Sequence, residues 1–284
     1  MPATNFGGVE NSNSVTATYV GESDTPIFTY DKSLILKRCE ECLKMPNKYG
    51  LTVRYDMTTN SDRSLLNIIT DAGLQISASS LSEVSEANLS GVPYAKILLT
   101  TQEEYCGKDM LTLQSLLLQG LKYNVCSMKQ LYDIGDFACK NYIDPGIRIY
   151  PCTCSCDTAP VDSSGKCQCF GVLLSDLDEA LKYAWGKWIR FKHVHVHVGF
   201  VAEPEMLQQR IDFWLSVIAK QLKESESLCF GGILNTLGTH TQGVTYIEDL
   251  GNYIKKQFMA FYKKHGRKLK VEIDPGDFIV SGLH

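Results

Sequence analysis

The sequence predicts an α/β protein built as a single (β/α)8 barrel, on three observations. The chain has 284 residues, close to the roughly 250 that eight strand–helix units need. Apolar strand-like runs alternate with amphipathic helical stretches, the pattern of a parallel sheet with its helices outside. Eight such runs begin near Leu51, Leu74, Ala95, Tyr123, Ile147, Phe191, Cys229 and Lys270, and eight strands close a barrel.

Along the chain, residues 1–25 are rich in Ser, Thr, Asn and Gly without periodicity and read as a flexible N-terminal tail. Residues 26–284 form the barrel domain. Helical periodicity marks Ser61 to Ala72, Ser82 to Leu89, Met128 to Lys140, Pro204 to Leu222 and Ile247 to Lys264. Pro204 suits a first helical turn, where a missing N–H costs nothing. The basic run Lys263 to Lys268 reads as a solvated helix end leading into the last strand.

Composition narrows the function classes. Hydrophobic residues are 44% and charged residues 21%, ordinary for a globular protein. A net charge of −4 without a clustered basic face argues against nucleic-acid binding. No stretch reaches the roughly 20 apolar residues of a membrane span, and the start lacks a signal-peptide pattern, so the expectation is a cytoplasmic protein. A barrel places its chemistry at the C-terminal strand ends, and there the unusual residues collect.

In His193-Val194-His195-Val196-His197 the alternation puts three imidazoles on one face of a strand and two valines on the other. The histidines are expected to point inward and the valines to pack under helices. His197 and His240 are the candidate bases, with Asp274, Asp277 and Asp56 as candidate acids near them, because a neutral histidine facing a carboxylate can move protons near neutral pH. Tyr55, Thr58, His195, Phe200, Leu237 and Thr239 are expected to line the substrate pocket. No metal is favoured on the His strand.

Cys152, Cys154, Cys156, Cys167 and Cys169 are five of the 11 cysteines. Two Cys-x-Cys pairs suit a four-thiolate zinc clamp, disulfides formed on oxidation, or free thiols, and these stay open. Cys39 and Cys42 read as small helix residues, and Cys106, Cys126, Cys139 and Cys229 as core.

A collinear series of motifs resembles one family. Val53-Arg54-Tyr55-Asp56-Met57-Thr58-Thr59-Asn60 is similar to Tyr-Ala-x-Lys-Ala-Asn. Ala78-Ser79-Ser80-x-x-Glu83-Val84 is similar to Asp-Ala-Ser-Ser-x-x-Glu-(Ile/Val). Arg148 to Pro151, Phe170-Gly171-Val172, His195 to Gly199 and Glu272 to Gly276 match further elements. Together they resemble the fold-type III pyridoxal-phosphate decarboxylases, the diaminopimelate and ornithine decarboxylase group, whose cofactor domain is the barrel also found in alanine racemase.

The resemblance implies a Schiff-base lysine where this chain has Thr58, a ring-stacking histidine at His197, and a glutamate for the pyridine nitrogen where this chain has Asp274. It implies a phosphate-binding serine at Phe200, a glycine cradle at Leu237-Gly238-Thr239, and Arg or Thr at Asp277. The chain departs at most of these places, and its end falls where the family's second, all-β domain would begin. The expectation from these departures is a barrel with no cofactor: pyridoxal phosphate is disfavoured and zinc is a minor alternative. Its function is then acid–base chemistry, as a lyase, cyclase or isomerase, on a small and partly hydrophobic substrate. The alternatives are a pseudoenzyme that binds a protein partner and a metal-dependent enzyme using the His strand or Cys loop. A homo-oligomer, or a partner in place of the β domain, is also expected.

Overall fold

The computed structural model describes residues 31–151, 170–199, 204–234 and 243–280. The expected tail lies outside these residues, as do Phe200, Leu237, Thr239, His240 and the five loop cysteines Cys152, Cys154, Cys156, Cys167 and Cys169. Among the described residues there are nine strands: β1 (Leu51–Asp56), β2 (Gln75–Ala78), β3 (Ile97–Thr100), β4 (Lys122–Val125), β5 (Gly146–Tyr150), β6 (Val172–Leu173), β7 (His193–His197), β8 (Ser227–Gly231) and β9 (Lys270–Asp274). All pair in parallel. The order β4-β3-β2-β1-β9-β8-β7-β5 closes through a β4–β5 pairing into eight staves. The two-residue β6, which has no counterpart among the expected strands, pairs with the upper end of β5.

The helices are α1 (Lys32–Leu43), α2 (Arg63–Asp71), α3 (Leu81–Leu89), α4 (Gly107–Leu118), α5 (Met128–Lys140), α6 (Leu177–Gly186), α7 (Pro204–Lys220), α8 (Gly243–His265) and α9 (Gly276–Val280). The strand start expected at Ala95 is instead a single 3-10 turn, Tyr94–Lys96, before β3. Among the described residues no helix is long and apolar enough to cross a membrane.

Period-two alternation decides which side chains fill the barrel. Val53, Tyr55, Ile76, Ile97, Leu99, Val125, Ile147, Ile149, Val194, Val196, Leu228, Phe230, Val271 and Ile273 are buried in the hydrophobic core beneath the helices. The opposite parity carries Arg54, Asn124, Arg148, His193, His195, Cys229, Glu272 and Asp274, so this barrel is polar inside. Such groups need partners. Arg54 pairs with Glu272, Asn124 Nδ2 donates to Thr100 Oγ1 at 3.0 Å, and His193 Nδ1 meets Ser227 Oγ at 3.0 Å.

Two strand-to-helix turns are capped in the same way, one of them the matched Ser79-Ser80-x-x-Glu83 segment. Ser80 Oγ accepts from Glu83 N at 3.2 Å while Glu83 Oε2 accepts from Ser79 N at 2.6 Å. Ser127 Oγ and Gln130 Oε1 repeat the device before α5, on Gln130 N and Cys126 N. Each satisfies two otherwise orphaned backbone donors, a variant of the capping box, and fixes the turn where a strand delivers its last residue to the cavity.

Candidate active site

The site lies at the C-terminal mouth, on β1, β5, β7, β8 and β9. In register, Arg148 of β5 neighbours His195, His195 neighbours Cys229, and both His197 and Asp274 neighbour Gly231. Gly231 matters because it has no side chain. A Cβ there would lie 2.5 Å from His195 Nε2, 3.0 Å from His197 Nδ1 and 3.1 Å from Asp274 Oδ2. Three polar atoms from two strands thus converge on a space that any other residue would fill.

Asp274 is 9% exposed. Its Oδ1 accepts the Gly232 N–H at 2.9 Å, and Gly232 reaches this position at φ +72, where glycine is favoured. Its Oδ2 lies 3.7 Å from His195 Nε2. Burial first, and the Asp56 charge second, push its carboxyl up to about 7, against the Gly232 hydrogen bond and the Arg148 charge.

His195, 2% exposed, has neither ring nitrogen hydrogen-bonded. Burial, then the Arg148 charge, hold its pKa well below the usual range, and burial does the same for His193 with Arg54 second. His197 sits at the exposed mouth, and desolvation by the surrounding chain and the Arg148 charge lower it to about 4. All three are therefore neutral at pH 7, so each has a ring-nitrogen lone pair to offer. Arg148 itself donates from Nε to Phe170 O at 3.0 Å and lies 3.6 Å over the Phe170 ring, a cation–π contact.

At the end of β1, Asp56 Oδ1 accepts from Thr58 N at 3.1 Å and Thr58 Oγ1 at 2.8 Å. Thr59 Oγ1 donates to Asp277 Oδ1 at 3.3 Å, joining β1 to the start of α9. Gly276 allows this approach, because a Cβ there would press on Thr59 Oγ1 and lie 3.0 Å from Asp56 Cβ. Gly276→Ala is expected to lower stability by about 1–3 kcal/mol through overpacking, read from thermal unfolding.

Of the expected site residues, His195, His197, Asp274 and Asp56 come together, and Thr58 and Asp277 stand at the rim through their contacts with Asp56 and Thr59. Tyr55 does not line the cavity: it is fully buried on the opposite face of β1, with its hydroxyl donating to Asn60 O at 3.0 Å. Its parity, opposite to Arg54 and Asp56, forces this. Cys106, expected in the core, is exposed as the residue before α4. Two residues of the site were not expected there. Arg148 was legible only as part of a motif, and Cys229 was read as packing, although its strand parity matches the inward set.

The profile of the family described as "Pyridoxal-dependent decarboxylase, pyridoxal binding domain" matches residues 33–281. The chain belongs to this family. Solved structures with the same fold include an arginine decarboxylase of Paramecium bursaria Chlorella virus bound to agmatine, at 18% identity, covering 87% of this chain and 64% of that one, with a TM-score of 0.65. A Helicobacter pylori diaminopimelate decarboxylase complexed with L-lysine has 22% identity, coverage of 91% and 65%, and a TM-score of 0.64. A Vibrio vulnificus lysine/ornithine decarboxylase complexed with putrescine has 18% identity, coverage of 88% and 62%, and a TM-score of 0.65. The chain spans less than two thirds of the length of each. None of the curated proteins compared with it matches significantly.

Family membership corrects one expectation. A barrel with no cofactor was read from the departures at single positions, whereas the match over residues 33–281 to a pyridoxal-binding family points to pyridoxal phosphate. The described residues fit the ring of that group: the space above Gly231, the Asp274 carboxylate and the His197 imidazole form a cradle for a pyridine. Covalent attachment at the end of β1 does not fit, because Thr58 offers a hydroxyl, which forms no imine.

Proposed function

We propose that this barrel holds a pyridoxal-class ligand, a substituted pyridine aldehyde, by its ring and without a bond at Thr58, and does acid–base work on an amino-acid-like molecule beside it. The observation that carries the reading is Asp274, with one oxygen tied to Gly232 N and the other turned to the space above Gly231. A pyridine N–H directed at Oδ2 would gain a charge-assisted hydrogen bond in a buried setting. When bound, the cofactor supplies an electron sink for chemistry at an amino-acid carbon.

This chain's own residues would do the rest. His197 would lie beside the ring and, neutral at pH 7, offer Nδ1 to hold or pass a proton. Asp56, ordered by Thr58, and Asp277, ordered by Thr59, make the rim acidic, which suits the ammonium groups of a basic amino acid. The solved relatives hold L-lysine, agmatine and putrescine, so basic amino acids are the first substrates to assay, with release of carbon dioxide as readout.

The binding test compares pyridoxal phosphate with pyridoxine phosphate, which carries an alcohol in place of the aldehyde and cannot form an imine. Equal, saturable binding of the two to the full chain is expected. Asp274→Asn should weaken both by about 10- to 100-fold, the loss of one charge-assisted hydrogen bond. Absence of saturable binding, or a large preference for the aldehyde, would overturn the reading.

A second reading, a non-catalytic barrel that docks a protein, draws on Tyr142, Trp185 and Trp188, which are 96%, 82% and 86% exposed. Exposed aromatics on this scale mark interaction surfaces. Under that reading Trp185→Ser with Trp188→Ser removes partner binding, and under the first it leaves pyridoxine phosphate affinity unchanged.

A further inference from the structure

We propose that the floor of this pocket binds one divalent transition-metal ion of zinc's chemical softness, held by His195, Cys229 and Asp274. The inference goes beyond the pyridine-ring reading. Asp274 serves both ligands, so metal and ring exclude each other, and each can be measured without the other.

The three side chains offer a nitrogen, a sulfur and an oxygen that lie within 4.8 Å of one another, and all three are buried. They come from the adjacent strands β7, β8 and β9. His195 is opposite Cys229, and Asp274 lies one residue pair further along, opposite Gly231. Rigid parallel staves hold the ligands, so little ordering cost remains when an ion arrives.

His195 gives the independent sign that a ligand is missing from the count of contacts. At 2% exposure both of its ring nitrogens lack a hydrogen-bond partner among the described residues. Buried polar groups are nearly always satisfied, and its Nε2 faces the space above Gly231 that Asp274 Oδ2 also faces. A metal ion takes the imidazole lone pair that no donor among the described residues takes.

The distances suit the ion. Two ligands about 2.0–2.1 Å from a tetrahedral zinc lie about 3.3 Å apart, and His195 Nε2 and Asp274 Oδ2 stand at 3.7 Å. Closing the site needs a shift of a few tenths of an ångström there and a rotation of the Cys229 thiol. As the metal–sulfur bond forms the thiol proton leaves to solvent, and any proton on Asp274 leaves with it. No electron is transferred. The thiolate and carboxylate together neutralise the dication. His197 Nδ1, on the open side of the same space, completes four ligands or yields to a substrate, the arrangement of an open site.

The experiment titrates the full chain, free of pyridoxal compounds, with cobalt(II) as a spectroscopic stand-in for zinc. One equivalent is expected to give a near-ultraviolet thiolate-to-cobalt band and tetrahedral visible bands that zinc abolishes. Cys229→Ser should remove the thiolate band, and Asp274→Asn should weaken binding by at least about tenfold. Replacing Cys152, Cys154, Cys156, Cys167 and Cys169 together by serine should leave the band intact. Loss of the band in that loop variant with retention in Cys229→Ser would assign the metal to the loop and overturn the proposal, as would no cobalt binding by the wild-type chain. Unfolding curves of each variant show whether it is folded, and the loop variant tests the assignment even if Cys229→Ser does not fold.

Discussion

Replacing Arg54 by methionine is expected to lower the free energy of unfolding by about 3–5 kcal/mol, the cost of stranding one member of a buried ion pair. Arg54 is 3% exposed and Glu272 5%, and they pair with each other across β1 and β9 inside the barrel. In the single variant the Glu272 carboxylate keeps, among the described residues within 4 Å, only His193 Nδ1, at 3.5 Å, as a partner able to become a cation. Burial and the Arg54 charge now hold His193 neutral, so removing Arg54 should also raise the His193 pKa. Changing both residues, Arg54→Met with Glu272→Met, is expected to recover most of the loss, because two apolar groups of similar volume need no compensation. Urea unfolding followed by circular dichroism measures all three proteins. A single-variant cost below about 1 kcal/mol would mean that water already reaches the pair.

Stability should also fall as the solution is acidified from pH 6.5 toward pH 4, beginning above the range in which ordinary carboxylates titrate. His193 and His195 have pKa values of 6.5 when unfolded and far lower values when folded. In this window the unfolded chain therefore binds two protons that the folded chain refuses. Asp274 works in the opposite direction. Its pKa rises from 3.8 unfolded to about 7 folded, so the folded chain holds one proton that the unfolded chain has lost. The balance is one more proton on the unfolded side, and stability then drops by about 1.4 kcal/mol per pH unit, or about 3 kcal/mol across the window. His197, exposed and screened, is discounted. Asp274→Asn removes the opposing proton and should double the slope, whereas His193→Gln should nearly flatten it. Equal stability of the wild type at pH 6.5 and pH 4.5 would contradict the assignment of neutral, buried imidazoles.

Much of the site was legible before any fold was known. The strict alternation from His193 to His197 put the imidazoles on one face and Val194 and Val196 on the other, and the valines are indeed fully buried beneath the helices. The position of Thr58 just past the end of β1 could be read from its motif neighbours, because a motif keeps its spacing when one member changes. The Ser80–Glu83 pair could be read as a helix start, since capping is decided within four residues.

Other features were not legible, for reasons of range. Tyr55 looked like a pocket residue because it sits beside Asp56. One residue along a strand reverses the side chain, so neighbours in sequence are opposites in space. Cys229 looked like packing because small sulfur side chains are common in cores, and its parity meant nothing until its register against His195 was known. The two-residue β6 was too short for periodicity to register.

By itself the sequence determined the number of staves, the parity of each strand and the hydroxyl at the end of β1, all of which are local in the chain. The tertiary structure alone decided the stagger of β7, β8 and β9, and so brought His195, Cys229 and Asp274 within 4.8 Å and left the space above Gly231 open. The reason is physical: period-two geometry fixes which face a residue occupies, while the height at which faces meet is set by closure of the whole barrel.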